Sequence, residues 1–138
     1  MLLTRLIHPE ILSELGRSGH GTRILIADGN FPFTTESPRE ARKVYLNLRR
    51  GLVQAMDVLE VIVHSVPIES AILMAPPDGV PVEIHDEYKA ILNPDVAIQA
   101  VKRLDFYREV RSSSTALVIA TGEGRRFANI LLTIGVVR

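Results

Sequence analysis

The sequence predicts one α/β domain, a layered fold with a largely parallel central sheet flanked by helices. Three observations predict it. Short, almost continuously apolar runs, ILIA at 24–27, SAILMA at 70–75 and TALVIATG at 115–122, suit strands covered on both faces. Segments with apolar residues at helical spacing alternate with these runs, the pattern of a sheet with helices packed on it. The 138 residues contain no repeat, charge block or low-complexity linker, so a single domain, 1–138, is expected.

Taken in order, Pro9 suits a first helical position, and Ile11, Leu12 and Leu15 share one face. A helix is expected over 9–17, with Gly19 as a left-handed stop. ILIA is bounded by Gly21 and Gly29, and Pro32 and Ser37-Pro38 mark the loop that follows it. From Gly51 onward, Leu52, Ala55, Met56, Leu59 and Val63 recur at three and four residues, which predicts a second helix. SAILMA is closed by a turn at Pro76-Pro77-Asp78-Gly79. A third helix is expected from Glu83 to Leu92, before Pro94, and IQAV at 98–101 is read as a strand. Asp105 is expected to cap a short helix from Phe106 to about Arg111, its carboxylate accepting from the free amides of the first turn. TALVIATG and ANILLTIGVV (128–137) are the last two strands, joined by the polar loop EGRR. If they pair as a hairpin, the sheet is mixed.

Composition narrows the chemistry. Sixteen basic and sixteen acidic residues balance to zero net charge, so no field of either sign gathers nucleic acid or anionic lipid. There is no cysteine, which excludes disulfides and thiol chemistry. Arg5, His8 and Glu10 interrupt the apolar N-terminus, and no run approaches a membrane span, so a soluble, cytoplasmic protein is expected.

Candidate groups lie at strand ends. In GHGTRILIADGNFP (19–32), His20 precedes the predicted strand and Asp28 follows it. An extended chain separates them by roughly 20 Å at ~3.3 Å per residue. They share a site only if the Gly19-His20-Gly21 loop folds back or a neighbouring subunit supplies one of them. The ordinary alternatives are a loop histidine bonded to backbone and an Asx-turn at Asp28. His8, His20, His64 and His85 form no H-E-x-x-H pair, so no metal site is expected. Ser18, in LGRSG, follows a helix and lacks the first glycine of a nucleophile elbow. TGEGRR (121–126) offers backbone amides to a phosphate but lacks the Walker lysine. Ser112-Ser113-Ser114 reads as a solvated linker, and Phe31 and Phe33 as core plugs or sugar platforms.

Four separated motifs, GHG (19–21), ADGNFP (27–32), KRLDFYREV (102–110) and TGEGRRFANILLTIGV (121–136), resemble the D-ribose pyranase and L-fucose mutarotase family. They span the chain in the right order. The resemblance implies an isomerase that interconverts the anomers or ring forms of a free monosaccharide without metal or cofactor. It also implies a ring-like homo-oligomer, expected as a decamer, with sites between subunits. On the matching positions, His20 takes the proton-transfer role, and Asp28, Arg103, Phe127 and Asn129 bind the sugar. Arg103 resembles the fucose branch more than the ribose branch. Phe127 stands where the family pattern has Tyr-x-Asn, removing one hydrogen bond worth about 0.5–1.5 kcal/mol. An acidic residue used by part of the fucose branch has two candidates here, His64 or, displaced, Glu69, and neither is assigned. Imidazole suits the reaction because its unperturbed pKa of roughly 6.5 lets it carry a proton near neutrality. Three other readings stay open: D-ribose pyranase activity, a non-catalytic sugar-binding or regulatory module, and an enzyme acting on another polyol or sugar acid.

Overall fold

The computed structural model describes residues 1–138 as four helices and a six-stranded mixed sheet. The elements are α1 (Pro9–Arg17), β1 (Arg23–Ala27), β2 (Arg42–Tyr45), α2 (Ala55–Val63), β3 (Ile68–Met74), α3 (Glu83–Ile91), β4 (Ala97–Val101), α4 (Arg103–Val110), β5 (Thr115–Ala120) and β6 (Ile130–Ile134). Strands lie in the order β2-β5-β1-β6-β3-β4. Neighbours are parallel everywhere except along β6, which runs antiparallel to both β1 and β3. Five strands therefore share one direction.

Two cores cover the sheet. Alternate residues of β1 point to opposite faces, and Ile24, Leu25, Ile26 and Ala27 are all fully buried. Ile24 and Ile26 join the larger core, which receives Ile11 and Leu15 of α1, Val58, Leu59 and Ile62 of α2, and Ile84 and Tyr88 of α3. Leu25 and Ala27 face a smaller core built with Phe106 and Val110 of α4 and with Phe31 and Ala41 of the long loop after β1. The layered α/β fold read from the sequence, a largely parallel sheet flanked by helices, is the one observed.

Several expectations are corrected. β5 and β6 do not form a hairpin: β1 lies between them, parallel to β5 and antiparallel to β6. Consecutive chain order misled because the EGRR loop carries the chain past a strand already in place. The helix expected from Gly51 begins at Ala55, since Arg49 and Leu52 close a tight turn, and its buried stripe is Ala55, Val58, Leu59 and Ile62. α1 stops at Ser18, not at a left-handed Gly19. Ser18 is extended, and its hydroxyl donates to the carbonyl of Glu14. The positive φ belongs instead to Gly21, at +86°. Asp105 does not cap α4. Lys102 occupies the cap position, so Asp105 lies inside the first turn, where it accepts from Arg108 at 2.9 Å.

β2 had no counterpart in the sequence reading. It carries two charged residues in four and buries only Val44. Its place is fixed by pairing to β5 at the sheet edge. Beyond β5, Gly122 is required sterically: a Cβ there would run into the backbone carbonyls of Arg49 and Leu52. The turn after β2 is thereby pressed against the end of β5. No helix is long and apolar enough to cross a membrane.

Candidate active site

The topology gathers one edge of the sheet into a polar cluster. Asp28 follows β1, Ala75 follows β3 and Arg103 opens α4 just after β4, while β6, being antiparallel, enters at this same edge with Asn129 just before it. Strand ends thus meet at the carboxyl edge of the parallel strands, where α/β sheets hold ligands. A cavity of about 350 Å³ opens there. It is lined by the buried Asp28, Phe31, Met74 and Asn129 and by the more exposed Asn30, Arg103, Tyr107, Arg126 and Phe127.

Asp28 is 2% exposed and Asn129 is 3% exposed. The backbone N–H of Asp28 donates to Asn129 Oδ1 at 2.8 Å, and Asn129 Nδ2 donates back to Asp28 Oδ2 at 3.2 Å. Asp28 also accepts from the N–H groups of Asn30 (3.0 Å) and Ala128 (3.2 Å). The bond from Asn30 is an Asx-turn, so the ordinary expectation for Asp28 holds alongside its place in the cavity. Burial pushes its carboxyl above the usual carboxylate range, and the bonds from Asn30 and Ala128 pull part of the way back.

The segment carrying Phe127 and Asn129 is pinned by α3. His85 Nε2 donates to the carbonyl of Phe127 at 2.8 Å, and the Tyr88 hydroxyl donates to the carbonyl of Ala128. Burial lowers the pKa of His85 and raises that of Tyr88, so both stay neutral donors at neutral pH. Phe127 has φ +59°, a left-handed conformation uncommon for a large side chain. Its ring lies beneath Arg126, whose guanidinium carbon is 5.3 Å from the ring centroid.

Next to this segment, Glu123 is buried at 3% exposure and accepts from the backbone N–H and Nε of Arg125. Arg125 also donates to Glu87 of α3. Burial alone would raise the pKa of Glu123, but its bonds from Arg125 outweigh that and hold the carboxyl below its usual value. TGEGRR is therefore a built ion-pair loop.

Four of the five residues singled out from the sequence, Asp28, Arg103, Phe127 and Asn129, meet in this cavity. His20 does not. The loop before β1 stays at the other edge, where Gly21 N–H donates to the carbonyl of Ile134 and His20 Nε2 donates to Glu69 Oε2 at 2.9 Å. β1 separates His20 from Asp28 along its whole length. The partner of His20 is thus a carboxylate and not backbone. His64, the other unassigned candidate, is turned elsewhere: its Nδ1 donates to the carbonyl of Glu60, and Arg5 donates to its Nε2.

Tyr107 and Arg126 were missed as cavity residues, although both lie within the quoted motifs. Tyr107 is four residues beyond Arg103 and so shares its face of α4, and its ring meets Phe31 edge-on at 5.4 Å. The helical spacing was the available signal. For Arg126 there was none, because the turn that aims it depends on the ion pairs of Arg125.

Comparisons with known proteins identify relatives of the chain. The chain is 30% identical over 140 residues to the fucose mutarotase of Homo sapiens, covering 95% of this chain and 90% of the relative. It is 28% identical over 137 residues to a D-ribose pyranase of Clostridium botulinum, covering 99% of each. Its fold superposes with a TM-score of 0.82, at 26% identity and full coverage of both chains, on a fucose mutarotase solved with L-fucose from Streptococcus pneumoniae. Residues 1–137 match the profile of the RbsD / FucU transport protein family, and the chain belongs to that family.

Proposed function

We propose that the protein is a monosaccharide mutarotase, an isomerase that opens and recloses the ring of a free sugar such as L-fucose, with His20 as acid/base. The observation that carries this is the convergence of Asp28, Asn129, Arg103 and Phe127 on one cavity of monosaccharide size. Relatives named fucose mutarotase and D-ribose pyranase support the reaction class.

In the proposed reaction a proton reaches the ring oxygen as the bond from it to the anomeric carbon breaks. The anomeric hydroxyl gives up its proton, an aldehyde forms, and the ring recloses on the other face. No proton is gained or lost overall. Asp28 and Asn129 orient hydroxyls, Arg103 donates to a sugar oxygen, and the Phe127 ring covers a C–H face. Glu69, by accepting from Nε2, favours the tautomer of His20 that leaves Nδ1 free to exchange a proton.

Because β1 holds His20 away from the cavity of its own chain, the imidazole must come from a second copy. A ring-like homo-oligomer, expected as a decamer, supplies it, with a site at each contact between subunits. His20→Ala should abolish acceleration of anomer exchange in saturation-transfer NMR while the fold persists. Asp28→Asn alone should also be inactive. Mixing the two variants after dissociation should restore activity at contacts that pair an intact His20 with an intact Asp28. An active His20→Ala protein, or a mixture that regains nothing, would remove His20 or the shared site from the mechanism.

A further inference from the structure

This inference rests on the reading just given and concerns which sugar the site prefers. The cavity carries two guanidiniums against one carboxylate. Arg23, Arg42, Arg108, Arg111 and Arg125 each meet a carboxylate within the chain. Several other arginines, Arg49 and Arg50 among them, form no such ion pair, but only Arg103 and Arg126 of these line this cavity. The contrast with Arg125, which is held by Glu123 and Glu87, is sharp because it is the immediate neighbour of Arg126.

The cavity's only carboxylate, that of Asp28, is already engaged by Asn30, Ala128 and Asn129. One carboxylate against two guanidiniums leaves a single positive charge. An anion placed in this cavity of about 350 Å³ would be attracted by both guanidiniums that line it. Guanidinium forks also match carboxylate geometry. Stacking on Phe127 keeps the charge of Arg126 beside the cavity.

We propose that the preferred substrate is an anionic monosaccharide, its acidic group held by Arg103 and Arg126, with a carboxylate matching the single surplus charge. A phosphate ester is the other source of the same chemistry. It would draw on Arg49 and Arg50 in the adjoining polar recess of about 410 Å³, which shares Asn30 with the cavity.

The test measures anomer exchange by saturation-transfer NMR for glucose and galactose, each compared with its uronate and its 6-phosphate. Exchange of an anion at least about tenfold faster than of its neutral parent supports the inference, and the faster anion names the source. Arg126→Gln should then shrink that ratio about tenfold. A neutral sugar exchanged as fast as both anions, or a ratio unmoved by Arg126→Gln, overturns the inference and leaves ring opening standing. If none of the sugars is exchanged, the mutarotase reading fails instead, and calorimetry decides the charge preference. Tighter binding of an anion than of its parent supports it, and equal or absent binding overturns it.

Discussion

Phe127, proposed to face the sugar, depends on its neighbours for its conformation. It adopts a left-handed backbone conformation, which costs a large side chain roughly 1–3 kcal/mol and persists only where neighbours impose it. His85 and Tyr88 impose it from one side, and the Glu123–Arg125 pair fixes the loop from the other. Glu123 accepts several bonds while almost fully buried, so Glu123→Gln should cost about 1.5–3 kcal/mol at neutral pH. The pH dependence follows from the direction of its shift. The folded state holds Glu123 below its ordinary value, so its contribution is complete above that value and is lost as pH falls through the folded one. Asp28 acts in the opposite sense, since its raised value favours the folded state at low pH and loses that advantage as pH rises through it. Thermal melts between pH 3 and 7 should therefore show a shallower acid-side loss of stability for Glu123→Gln than for the parent. Equal slopes would mean that Glu123 is not the group responsible.

At the scale of elements, α3 serves the site without lining the cavity. It contributes Tyr88, fully buried, whose hydroxyl satisfies the Ala128 carbonyl one residue before Asn129. Tyr88→Phe leaves that buried carbonyl without its donor, at a cost of about 1–3 kcal/mol. The loop between β5 and β6 should loosen with it, raising KM for the sugar more than it lowers kcat. A variant with unchanged stability and KM would show that the clamp does not position Asn129. Elements legible in the sequence were those with strong internal patterns: the run Ile24–Ala27, the Pro9 start of α1, and the spacing that ends in Leu59 and Val63. β2 was not legible because its strand character comes from its pairing with β5, and residues 42–45 contain only one buried apolar side chain. The start of α4 was misread because Asp105 is a good cap by type, yet Lys102 already had the extended backbone the cap needs. Of the candidate site residues, Asp28 was legible because the end of β1 is marked in sequence by a change from apolar to polar, whereas Arg103, Phe127 and Asn129 were reached only through the family resemblance. The role of α3 could not be read, since nothing local in HDEY says which carbonyl a side chain reaches 40 residues away.

The whole molecule carries a constraint that no single element shows. β1 and β6 are the central strands, and both run from one edge of the sheet to the other, so His20 and Asp28 are held apart by the most buried part of the structure. No loop movement brings them together without unfolding β1. Large apolar side chains stand in solvent around the molecule, among them Leu3, Leu48, Leu104 and Val137, which suits a surface that other copies cover. A net charge of zero offers no long-range repulsion against such association. Activity should then depend on assembly. Specific activity in anomer exchange should stay constant while the oligomer is intact and fall with the fraction of dissociated chains on dilution, both followed in the same samples, one by NMR and the other by mass photometry. Added sugar should shift dissociation to lower protein concentration, because a ligand bound across a contact stabilises that contact by RT ln(1 + [L]/Kd). Full activity in samples shown to be monomeric would contradict this, because it would require His20 and Asp28 to act on one sugar from opposite ends of a strand that stays folded.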